Sequence, residues 1–176
     1  MLDGYKATLS YVNSLTWSTL SISLLLLFLN PTDEKVNILG INFSQDSIVY
    51  IGPLVILVLL LTRRIVIGNA AYIVKSNRSN ADLKKLTKFY PLMEFIRWRA
   101  ASQLETVLLS LFDGFISYLP IYVTVRALSN MNQSLWIKLL IAIFIGAIVA
   151  GIVQWNYFTL RIKVYEPLCG KIKTPD

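Results

Sequence analysis

The sequence predicts an all-α integral membrane protein with four transmembrane helices and both chain ends on the cytoplasmic side. Three observations predict it. Of the 176 residues, 55% are hydrophobic and only 15% charged, whereas a soluble domain carries about 45–50% apolar and about 25% charged residues. That is too little charge to clothe a water-facing surface. The apolar residues fall into four blocks, and a helix crossing ~30 Å of hydrocarbon needs about 20 of them. The basic residues, finally, gather on one side of those blocks.

The first span is read over residues 11–29, closing in Leu24-Leu25-Leu26-Leu27-Phe28-Leu29, with Ser and Thr in its first half. A cleavable leader is the rival reading. It is rejected because the apolar core is long, no Ala-x-Ala site follows and Lys6 is the only cation before it. A connection over 30–47 follows, opened by Asn30-Pro31, which cannot continue a helix. Within it Val36, Ile38, Ile41 and Phe43 alternate with Asn37 and Asn42 around Gly40. That period-2 pattern predicts a short extended hairpin over the outer helix ends.

The second span, 48–68, passes Arg63 and Arg64 only if those side chains snorkel to the headgroups. A cytoplasmic helical segment is expected over 69–103. Ser79 with Asp82 has the form of a capping box, so a short basic helix is predicted over 81–89, ending before Pro91. A second helix from Pro91 completes a helical hairpin, with Leu92, Phe95, Ile96 and Leu104 on one face. The third span is read over 106–128 and the fourth over 135–160; the short polar link between them makes these two antiparallel neighbours. A tail over 161–176 ends the single domain.

Orientation follows from cations near the span ends. Fourteen of the 17 Lys and Arg residues fall on the side holding both termini and the central loop, and only Lys35, Arg126 and Lys138 fall opposite. Trp17, Trp98, Trp136 and Trp155 lie near the predicted boundaries, as an interfacial belt requires. The expected location is a multi-pass position in a bacterial plasma membrane.

Little chemistry is legible. There is no histidine, Cys169 is the single cysteine, and no phosphate loop, dinucleotide fingerprint or metal spacing occurs. No enzymatic activity, cofactor or metal is expected. Asp113, inside the third span, is the informative position. An acid at mid-depth costs ~2.5–3.5 kcal/mol on insertion scales and so faces the bundle with a partner. Gln154, returning on the fourth span at similar depth, or a hydroxyl such as Ser110 or Ser117 is the expected partner, unless burial keeps the acid protonated; the alternative is an ion or proton pathway. Ala142, Gly146 and Ala150 recur every four residues, with Ala147 and Gly151 forming a second row. Such rows let helices approach closely, within one protomer or between protomers. The basic surface of Arg78, Lys84, Lys85, Lys88, Arg97 and Arg99 is explained by topology and anionic lipid without direct contact to nucleic acid. It also suits a soluble cytoplasmic protein.

The function expected is therefore a non-enzymatic membrane subunit that self-associates and docks a soluble partner as anchor, sensor or effector. A bacterial anti-phage defence system is one setting, by analogy only. The alternative is a pore or transporter subunit built around Asp113.

Overall fold

The computed structural model describes residues 2–28, 35–38, 41–77, 80–89, 103–129 and 133–169. The described residues are almost all helical, and four of the helices are long and apolar enough to cross a membrane. They are α1 (Leu2–Phe28), α2 (Gln45–Ser76), α4 (Gln103–Ser129) and α5 (Leu135–Thr159), with the short α3 (Ala81–Phe89) between the middle two. Beyond α5 the chain continues through a π-helical segment (Leu160–Tyr165) into α6 (Glu166–Cys169). Two strands, β1 (Lys35–Ile38) and β2 (Ile41–Ser44), pair antiparallel between α1 and α2, with Val36 opposite Phe43 and Ile38 opposite Ile41.

Three boundaries differ from the sequence reading. Helix α1 begins at Leu2 rather than near residue 11, because Tyr5 and Leu9 are fully buried and extend its packing face towards the chain start. Helix α2 runs unbroken to Ser76, so residues 69–76 belong to the second long helix. The fourth helical rod does not stop at Leu160. Leu160, Val164, Tyr165 and Leu168 are all buried and keep it in the core. The helix expected from Pro91 begins outside the described residues.

Several threonine hydroxyls enter these helices without stranding their donors. Thr16 donates to the Val12 carbonyl at 2.9 Å and Thr19 to that of Leu15 at 2.8 Å, each one turn back. Thr124 treats Pro120 the same way at 2.7 Å. Such back-bonding satisfies a hydroxyl inside the helix's own ladder. It makes the Ser- and Thr-rich half of α1 compatible with hydrocarbon.

Helix α1 packs on α2 and α4, α2 also on α4 and α5, and α4 on α5. At one end a core of Tyr5, Leu9, Val74, Leu83, Leu160 and Leu168 unites α1, α2, α3, the π segment and α6. Towards the other end Ile56 and Leu60 meet Val149 and Val153, while Leu20 meets Ile116 and Leu119. Polar ties cross between helices. Asn156 donates to the Leu60 carbonyl at 3.2 Å, and Arg126 donates through Nη1 to the Leu27 carbonyl at 2.9 Å. The second bond satisfies one of the orphan carbonyls at the C-terminus of α1.

Helix α3 begins where sequence reasoning placed it, but its cap is different. Asn80 Oδ1 accepts from the backbone N–H groups of Asp82 at 2.9 Å and Leu83 at 3.3 Å. Asn80 is the N-cap, and asparagine is among the strongest residues there; Ser79, the cap expected from sequence, lies outside the described residues.

Candidate functional site

The charged interior is built on α2 and α4. Helix α2 buries Ile56, Leu60, Ile67, Ala70 and Val74, at steps of four, seven, three and four residues. Position 63 falls on that stripe, and Arg63 is buried with them at 4% exposure. Snorkelling therefore fails for Arg63: its phase turns it into the bundle. Arg64, about 100° further round the helix, is half-buried and has its guanidinium 4.2 Å from the centroid of the Trp155 ring.

Asp113 is 7% exposed on α4. It lines a cleft of about 380 Å³ between α4 and α5, together with Ser110, Ser117, Tyr118, Gln154 and Tyr157. The volume is in the range of small-molecule sites. Asp113 and Gln154, expected together from sequence, do border one cleft; Gln154 stands at its exposed side. A second, much smaller cavity of about 20 Å³ is bordered by Thr16, Thr19, Arg63, Ser117 and Tyr157. That space matches one water molecule.

Ser117, Val153 and Tyr157 line both spaces. Arg63 and Asp113 therefore border adjoining compartments of one polar interior. Thr16 and Thr19 have spent their protons on the α1 backbone, so towards Arg63 their oxygens can only accept. The hydroxyls of Ser117 and Tyr157 border both spaces and can both donate and accept. The smaller space beside Arg63 can accommodate a water held by these hydroxyls. Arg63 is the site residue that sequence reasoning missed, and the period of its buried neighbours was the available signal.

The small residues of α5 divide. Ala142 and Gly146 are buried and Ala150 is half-buried, facing the chain's own helices. A Cβ at Gly146 would come within 2.7 Å of Val125 Cγ2, so α4 and α5 are in close contact there. Ala147 and Gly151 are exposed, and a Cβ on Gly151 would meet nothing within 4 Å.

The basic surface is described in part. Lys84 and Lys85 are exposed on α3, Lys88 belongs to the same helix, and Arg78, Arg97 and Arg99 lie outside the described residues. Beneath the two lysines, Leu83 is 0% exposed and Thr87 is buried. Comparison with protein families, curated proteins and solved structures finds no match.

Proposed function

We propose that this chain is a non-enzymatic membrane subunit that self-associates in the bilayer and docks a soluble, acidic protein surface on its cytoplasmic face. The observation that carries the reading is the packing of α3. Leu83 and Thr87 seat this helix on the bundle, and Lys84 and Lys85 project from it. A cluster needed only for topology could lie on an unpacked tether; a basic surface on a packed helix is pre-organised for recognition. In this reading both termini and α3 are cytoplasmic, the β1–β2 hairpin lies outside, and the membrane is a bacterial plasma membrane. Self-association is assigned to Ala147 and Gly151, the small residues left on the outer surface of α5.

The test combines particle mass in nanodiscs with crosslinking from α3 in intact cells. Lys84→Glu with Lys85→Glu should abolish capture of a soluble partner while leaving the assembly mass unchanged. A monomeric particle, or identical crosslinks from wild type and the double variant, would sink the proposal.

A second reading is favoured by a separate observation, the burial of Arg63 and Asp113 around adjoining cavities. Acid and base inside a membrane bundle mark ion or proton pathways. Here the subunit conducts or couples flux through Asp113. Asp113→Asn should then silence flux in particles of unchanged mass, and electrically silent wild-type particles would exclude this reading.

A further inference from the structure

We infer that Arg64 and Trp155 form a binding site for the phosphate of an anionic membrane lipid, in the leaflet on the α3 side of the bundle. Three observations lead there, independently of the partner-docking and ion-pathway readings. The first is level. Trp136 and Trp155 are nineteen residues apart on one helix, a rise of about 29 Å, and both are exposed. That separation matches the ~30 Å hydrocarbon core, so the two indoles mark its boundaries. Trp155 belongs to the boundary near the π segment and α3, and Arg64 stands beside it.

The second observation is geometry. The Arg64 guanidinium lies 4.2 Å from the centroid of the indole of Trp155, which is itself 59% exposed. A cation over an aromatic face is held there by the ring quadrupole. The contact leaves the N–H edge of the guanidinium to be satisfied in its own plane, the direction in which it binds phosphate oxygens.

The third is incompleteness. Arg64 Nη1 is covered by protein without a hydrogen-bond acceptor among the described residues, while the side chain as a whole is only half-buried. A charged group with an unsatisfied donor is costly, so the part of the guanidinium left open favours an anion. Arg161 differs in this respect: it is engaged by Glu166 at 3.1 Å. At the hydrocarbon boundary the acceptor on offer is a lipid phosphate. A lipid with net negative charge suits the site better than a zwitterionic one, whose own ammonium competes for the phosphate.

Native mass spectrometry of the full chain, released from nanodiscs holding phosphatidylcholine and phosphatidylglycerol in equal amounts, tests this. Wild type should retain phosphatidylglycerol preferentially. Arg64→Gln should lower that retention about tenfold, the loss of one charge-assisted contact, and Trp155→Leu should lower it too, whereas Trp155→Phe should preserve most of it. The wild-type preference alone tests the idea should a variant misassemble. Equal retention of the two lipids by wild type, or unchanged preference in a well-assembled Arg64→Gln, would overturn it. Displacement of the lipid by inorganic phosphate would overturn the lipid assignment in favour of a soluble anion.

Discussion

The hydroxyl oxygens of Tyr5 and Thr87 lie 3.0 Å apart in the protein interior, joining positions 82 residues apart in the chain. Thr87 also donates to the Leu83 carbonyl at 2.8 Å, so its single proton is committed and Tyr5 is the donor in the longer bond. This bond fixes α3 to the start of α1. Tyr5→Phe should cost about 1 kcal/mol, the net value of one buried hydrogen bond, with Thr87 still satisfied within its helix. Hydrogen exchange should accelerate across α3 and remain unchanged in α4. Uniform acceleration throughout the chain would show that the contact does not act locally.

The cap of α3 gives a contrast between neighbouring residues. Asn80→Ala removes the acceptor for two backbone donors and should cost about 1 kcal/mol of local stability. Ser79→Ala should cost nothing comparable. Amide exchange at Asp82 and Leu83 reads the difference, and equal effects from both substitutions would contradict the capping geometry.

Removing either interior charge should be worse than removing both. Arg63→Met leaves Asp113 in a low-dielectric interior, and Asp113→Leu does the same to Arg63. Each single change should destabilise by ~3–5 kcal/mol, the usual penalty for stranding a buried charge. The double variant should recover part of the loss, with a coupling of ~1–3 kcal/mol. Reversible unfolding in mixed micelles measures all four corners of the cycle. Strict additivity would mean that the two residues occupy independent environments.

The glycines of α5 should separate folding from assembly. Gly146→Leu drives a side chain into Val125 and should cost ~1–3 kcal/mol through overpacking, visible as a lowered midpoint of thermal unfolding. Gly151→Leu enters open space and should leave that midpoint unchanged. If the exposed row mediates self-association, the same variant shifts the particle mass in nanodiscs to that of one chain. An unchanged mass would remove Ala147 and Gly151 from the interface.

The four long apolar helices were legible because hydrocarbon imposes a length and a composition that few other structures share. Their ends were not. Tyr5 and Leu9 of α1 and Leu160 and Val164 of the π segment are buried by neighbours that sequence periodicity does not identify. Lys6 and Arg161 beside them read as chain leaving the membrane. Asp113 stood out because a carboxylate interrupts an apolar run. Arg63 was hidden by its neighbour: two consecutive arginines at a span end look like one snorkelling pair, although a helix turns them in different directions. Only the phase of Ile56, Leu60, Ile67 and Ala70 separates them. The Asn80 cap was missed for a similar reason. Ser79 and Asn80 are both capable, and only the start of the helix at Ala81 picks out Asn80.

The buried position of Arg63 bears on how the protein is made. Span two reaches the membrane before span three, and Asp113 is synthesised fifty residues after Arg63. At about 5–20 residues per second that is a delay of roughly 3–10 seconds. During it Arg63 has Thr16 and Thr19 of the first span beside it, but not yet Ile116, Ser117 and Pro120 of the third. The polar space around Arg63 is therefore closed in stages as the chain emerges. Its final form is settled after translation of the third span rather than as the second leaves the ribosome.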